Sequence, residues 1–147
     1  MKLKMLELSA MPKIKDRIII DTNLWISFLL SKDFSKLDKL FNSENLVLLF
    51  SRELLDEFVE VARRPKFKKY FSIGDLNELL SEIHSSAEFI EVYSKVNLCR
   101  DEKDDFLLAL SQDGNADFLI TGDKDLLEIA KFGKTIILTI SDYLGKK

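Results

Sequence analysis

The stretch CRDEKDDFLLALSQDGNADFLITGDKDLL, residues 99–127, sets Asp101, Asp104, Asp105, Asp117, Asp123 and Asp125 around two strongly apolar runs. Clustered carboxylates repel one another, and burying one is costly unless a donor or a cation pairs with it. Such acids therefore either face water or converge on a cation. Two earlier segments repeat the pattern: Asp21 directly follows three isoleucines, and Glu53 and Glu57 follow the apolar run 46–51. Hard carboxylate oxygens, with no His or Cys in the same motifs, suit Mg²⁺ or Mn²⁺ better than Zn²⁺. Three or four acids can hold one or two such ions, which would activate a water and neutralise charge on a phosphodiester under in-line attack.

The elements that must position these acids are legible as alternating apolar runs and helical patterns. The segments 17–21, 46–51, 88–92, 117–121 and 135–140 read as strands, the first two as strands buried on both faces. Helices are expected over 23–32, 34–42, 52–67, 72–87, 102–114 and 123–133, with Ser51 as an N-cap and Pro65 as a stop. Strands separated by helices imply right-handed crossovers and a parallel sheet covered on both faces. In such sheets the functional crevice lies beyond the carboxyl ends of the strands. Asp21, Ser51, Thr121 and Asp123 all fall at or just past strand ends, and Asp101 and Asp104 enter the helix after the third strand.

Composition bounds the alternatives. A chain of 147 residues, 46% hydrophobic, suits one domain with a real core. The single cysteine, Cys99, excludes an intramolecular disulfide and a multi-cysteine metal site, and suits a reducing, cytoplasmic setting. No apolar run approaches the roughly 20 residues of a membrane helix. Net charge is −3, so any nucleic acid must be held by a local patch or by metal ions. Residues 1–12 are read as an extension, or a misassigned start upstream of Met11, ahead of a single domain over 13–147. The first ten residues are too short and too charged for a signal peptide.

Individual residues carry competing readings. Asn23 could orient a ligand or cap the first helix. Glu53 and Glu57 share a helix face, so periodicity does not choose between them. Asp105, Asp113, Asp117 and Asp125 read as caps or solvated acids, some complementing a helix dipole. Trp25 is a core residue or a self-association contact. Cys99 reads as a packed thiol and His84, the only histidine, as a surface residue, which disfavours histidine-based ribonuclease chemistry. The basic stretch RRPKFKKY, with Arg63, Arg64, Lys66, Lys68 and Lys69 around Phe67 and Tyr70, could contact phosphates and stack on bases. Cations near a helix C-terminus are, however, favoured without any ligand.

Four pieces in this order, RIIIDTNLWISFLL, SRELLDEFVEVARRPKF, residues 99–127 and the closing ILTISDYL, resemble the PIN-domain ribonucleases, specifically VapC-like toxins of toxin–antitoxin pairs. The resemblance spans about Lys13 to Leu144. It implies a Rossmann-like three-layer α/β/α sandwich around a parallel sheet of about five strands. It also implies a metal-dependent endoribonuclease using Mg²⁺ or Mn²⁺ and leaving a 5′-phosphate and a 3′-hydroxyl. The four acids of the family fall on Asp21, Glu57, Asp104 and Asp123, as catalytic residues and metal ligands. Glu57 is preferred to Glu53 because the family acid comes six residues after the strand-end serine, here Ser51. Asn23, Thr121 and Asp101 match supporting positions. RNA is the implied substrate, an antitoxin the implied inhibitory partner, and homodimers are common in the family. Residues 1–10 have no counterpart, Asp104-Asp105 leaves a one-residue ambiguity, and TIS at 139–141 replaces a frequent Thr-Pro. Two other classes compete: a PIN-like module that binds without cutting, and a phosphotransfer fold. The latter lacks a second Asp two residues after Asp21, or an acidic pair before it.

Overall fold

Three consecutive isoleucines leave strand β1 (Asp16–Ile20) no polar face, so both its faces must be covered. Ile18, Ile19 and Ile20 are at most 1% exposed, which places β1 at the centre of the sheet. The computed structural model describes residues 15–32 and 35–145. The expected 1–12 extension lies outside the described residues. After β1 come α1 (Thr22–Ser31), α2 (Ser35–Phe41), β2 (Leu46–Phe50), α3 (Arg52–Ala62), a 3₁₀ turn (Pro65–Phe67) and α4 (Ile73–Ser86). They are followed by β3 (Glu88–Phe89), α5 (Glu102–Asp113), β4 (Phe118–Ile120), α6 (Lys124–Ile129), β5 (Lys131–Phe132), β6 (Thr135–Leu138) and α7 (Ile140–Gly145).

The six strands run in the order β3-β2-β1-β4-β6-β5. All neighbours are parallel except β5 with β6. Ile18 registers with Leu48 on one side and with Phe118 on the other. The order steps outward from β1 through β2 to β3, then returns to β1's other side with β4. The switch point of this doubly wound, three-layer α/β/α sandwich therefore lies between β1 and β4, where such sheets open a crevice.

Several boundaries differ from expectation, each for a local reason. The third strand is two residues rather than five: β2 ends at Phe50, whose carbonyl takes the Ile90 amide at 2.8 Å as the last bond of the pair, and the chain beyond is held by Asp113, which accepts the amides of Tyr93 and Ser94. The helix expected to 67 stops at Ala62, and Pro65 opens a separate 3₁₀ turn. The helix expected over 123–133 ends at Ile129. Ala130 and Gly133 adopt positive φ (64° and 58°), and the chain folds back as β5 against β6. The strand expected to reach 140 ends at Leu138, and Thr139 accepts the amide of Asp142 to start α7.

The core is knit around one aromatic cluster. Trp25 is fully buried, with ring centroids 5.9, 6.0, 5.6 and 6.2 Å from Phe28, Phe41, Phe50 and Phe58. Its Nε1 donates to the carbonyl of Ile20 at 3.1 Å, one residue before Asp21. This assigns Trp25 to the core, not to self-association. Trp25→Ala should lower stability by about 3–5 kcal/mol. Urea unfolding followed by circular dichroism checks this, and the loss should not vary with protein concentration. A concentration-dependent loss would restore the association reading.

Candidate metal centre

Asp21 leaves the sheet as the ladder ends: its amide still donates to the Ile120 carbonyl at 3.0 Å, while its side chain caps α1 through the Asn23 amide. Its second carboxylate oxygen accepts the Thr121 hydroxyl at 2.7 Å. Thr121 Oγ1 in turn accepts the amide of Asp123 at 3.0 Å. One hydroxyl thus ties the ends of β1 and β4 together across the switch point. Asp123 caps α6 through the Asp125 amide, and Asp101 caps α5 through the Lys103 amide. Helix capping explains why Asp stands at three of these junctions, and it fixes where each carboxylate points.

A cleft of about 170 Å³ lies over this edge, and its walls include Asp21, Glu57, Asp101, Asp104 and Asp123. Glu57, from the middle of α3, accepts the Thr22 hydroxyl at 3.2 Å and pairs with Lys103 Nζ at 3.2 Å. Glu53 is exposed in the first turn of α3 and does not line the cleft. Asn23 lines the cleft at its exposed side. Ser51 does not line it. That residue is fully buried and caps α3 by accepting the Leu54 amide at 3.0 Å. Arg64 reaches the cleft wall, whereas Lys66, Lys68 and Lys69 line a separate surface cavity.

The electrostatics follow from burial without compensation. Asp104 is 6% exposed, and its carboxyl is pushed from 3.8 up to about 7, first by burial and then by the charge of Asp123, to which it is also hydrogen-bonded. Asp21 is raised as well, by burial, against the lowering effect of the Thr121 hydroxyl. The next residue along from Asp104, Asp105, is the opposite case. Of the two readings, cap or solvated acid, it takes the structural one: it is buried, and the amides of Leu98 and Cys99 at 2.9 and 2.8 Å hold its carboxyl below the usual range. Asp105 therefore clamps the 98–99 backbone and does not line the cleft. Asp113 and Asp117 likewise accept backbone amides, from Tyr93 and Ser94 and from Arg17.

Three residues escaped the sequence reading. Asp125, expected to be an exposed first-turn acid, is half-buried. One carboxylate oxygen from each of Asp104, Asp123 and Asp125 lies within 4.8 Å of the other two. Asp125 also pairs with Arg100 at 2.6 Å. Thr22 and Lys103 both engage Glu57. The signal for Thr22 was its place beside Asp21 at a strand end; Lys103 carried none. Cys99 is half-buried, its thiol pushed up to about 11 chiefly by burial, which fits a packed thiol rather than a reactive thiolate. His84 is exposed on α4 and is not among the cleft's lining residues.

The donor set is carboxylates backed by hydroxyls, with net repulsion inside a partly buried space. Those residues fit a hard divalent cation. A consequence holds for the metal-free protein. Because the folded pKa of Asp104 is raised, the folded state binds a proton that the unfolded state releases, so stability falls as pH rises from about 4 to about 7. In EDTA, Asp104→Asn should flatten that decline and be the more stable protein at a pH above about 7. Thermal melts across the window test this, and a variant that melts lower with an unchanged slope contradicts it.

Comparison with known proteins agrees with this fold. A PIN-domain family model matches residues 17–125, from within β1 to the first turn of α6. The chain is also 32% identical, over 127 residues, to the uncharacterized protein MJ1680 of Methanocaldococcus jannaschii, covering 83% of this chain and 80% of that one. With its three-layer fold and a family match over most of its length, the chain belongs to the PIN-domain family, whose members are generally nucleases.

Proposed function

We propose that this protein is a metal-dependent endoribonuclease, with Asp21, Glu57, Asp104 and Asp123 as its working carboxylates. The observation that carries the reading is convergence: four acids from four separate segments line one cleft at the switch point of the sheet. Acids scattered for solubility would not be gathered where burial and neighbouring acids raise the carboxyls of Asp21 and Asp104.

Mg²⁺ or Mn²⁺, when bound, would activate a water and neutralise charge on the scissile phosphodiester. Asp21 and Asp104, the two most buried acids of the cleft, would hold the cation, with Asp123 beside them. Thr121 fixes the rotamer of Asp21, so that its carboxylate is oriented before a ligand arrives. Glu57, steadied by Thr22 and Lys103, would position the attacking water and accept its proton. Attack at phosphorus would break the bond to the 3′-oxygen, leaving a 5′-phosphate and a 3′-hydroxyl. Lys103 carries a cation at the cleft wall, where charge builds on the phosphate.

The same proposal extends to biology. We read the chain as the toxin of a toxin–antitoxin pair, held by a cognate antitoxin, with homodimers as its expected assembly, in the cytoplasm. Among the described residues no helix is long and apolar enough to cross a membrane. The domain is proposed to span 13–147.

Single-stranded RNA should be cut in the presence of Mn²⁺ and left intact in EDTA. Asp21→Asn and Asp104→Asn should each lose at least ~100-fold in rate, since both remove a proposed ligand. Equal cutting by variant and wild type would defeat the enzyme reading. For the toxin role, induced expression should arrest growth of a bacterial host, and Asp21→Asn should restore it. Arrest that persists in the variant would separate toxicity from the cleft. Co-expression of a neighbouring small reading frame should also relieve the arrest.

A further inference from the structure

An acid-lined cleft repels the polyanion it is proposed to cut, and a chain of net charge −3 offers no general attraction. Substrate must therefore be held by cations close to the cleft. One segment meets that need. Arg64 lines the cleft wall, and the next residue, Pro65, begins a surface cavity of about 520 Å³ formed by Pro65–Tyr70. The two features are lined by consecutive residues of the chain, Arg64 and Pro65.

The segment has an internal order. Lys66 Nζ lies 5.1 Å from the centroid of the Phe67 ring, and Lys69 Nζ lies 5.3 Å from that of Tyr70. Phe67 stacks on buried Phe71 at 5.9 Å, and Tyr70 is 47% exposed. Backbone bonds fix the turn: the amides of Phe67, Lys68 and Tyr70 donate to Arg64, Pro65 and Phe67 at 3.0, 3.1 and 2.9 Å. A preset turn loses little entropy when it binds.

The helix dipole accounts for Arg63, the C-cap of α3, and an ion pair with Glu60 at 3.4 Å accounts for Arg64, but neither accounts for Lys66, Lys68 and Lys69, which come after the helix has ended. Among the described residues none of these three lysines pairs with a carboxylate. Cations interleaved with two aromatic rings, Phe67 half-buried and Tyr70 exposed, suit a strand of phosphates and bases, the bases competing with the lysines for the ring faces. They suit a single strand, whose bases are free to stack, better than a duplex.

We infer that Lys66–Tyr70 is a platform for single-stranded RNA, feeding the strand past Arg64 into the acid cleft. The inference rests on the nuclease reading for its choice of ligand, but its test does not require cutting. Full-length metal-free protein is titrated into a labelled single-stranded RNA of about a dozen nucleotides at several salt concentrations, with binding read by fluorescence anisotropy. The triple variant Lys66→Ala/Lys68→Ala/Lys69→Ala should weaken binding and flatten the salt slope by roughly 0.7 for each phosphate that is no longer neutralised. Tyr70→Ala should weaken binding by about tenfold with the slope unchanged, and Tyr70→Phe should restore it. Mn²⁺ affinity should be unaltered in all of them. Wild-type affinity in the triple variant and in Tyr70→Ala overturns the platform. So does a patch that takes polyglutamate in place of RNA and ignores Tyr70→Ala, which would mark a docking site for an acidic protein. RNA that is bound through these residues but never cut with Mn²⁺ would sustain the platform and sink the nuclease. Cutting by the triple variant with unchanged KM would do the reverse.

Discussion

Holding Asp21 and Asp104 near one another at 8% and 6% exposure is the constraint around which this molecule is built. Burial raises the cost of ionising either carboxylate, and the neighbouring acids raise it further. Only a rigid frame keeps such groups from turning out to water. Two central parallel strands supply it, with Asp21 just past one and Thr121 just past the other, joined by a hydroxyl bond of 2.7 Å. The Trp25 cluster beneath, bonded to the carbonyl of Ile20, keeps the end of β1 from relaxing. The helices do the rest, since a carboxylate that caps a helix has already given up its rotational freedom.

Charge is handled differently at the two ends of the sheet. At the start of β1, Arg17 makes a two-pronged pair with Glu88 and donates to the Gly114 carbonyl, while Asp117 accepts both the Arg17 amide and Lys134. That end is satisfied, and it anchors the short edge strand β3. At the carboxyl end the acids outnumber the cations. Lys103 meets Glu57 and Arg100 meets Asp125, but among the described residues no ion pair reaches Asp21, Asp104 or Asp123, which face one another, hydroxyls and amides. The imbalance is local, because the fold as a whole is ordinary in composition. Charge settled at one end and left unsettled at the other makes the second end the candidate ligand site.

Much of this was readable in the sequence, for reasons that also mark where reading failed. Continuous β-branched runs such as 18–20 can only be central strands, and a parallel sheet sends function to their carboxyl ends, so Asp21, Thr121 and Asp123 follow from pattern alone. Glu57 did not: Glu53 lies on the same helix face, and the family resemblance chose between them. At the sheet edges β3 was expected but overlong, and β5 escaped because the chain turns back through positive φ at Ala130 and Gly133 inside a stretch that reads as helix. Asp125 and Lys103 were misjudged or missed because their partners, Asp104 and Glu57, are contributed by other segments.

Asp104 and Asp105 show most directly why residue type is not enough. They are adjacent, identical and both buried, yet one carboxyl is raised and the other lowered. A helix turns about 100° per residue. That rotation sends Asp104 into the cleft, toward Asp123, and Asp105 toward the loop before the helix, where two amides wait. The first is an acid set among other acids; the second is an acceptor with its amide donors in place. A divalent cation would have much to gain at Asp104 and nothing at Asp105. What separates a candidate ligand from a structural clamp here is the identity of the groups across from it, and those are set by the fold.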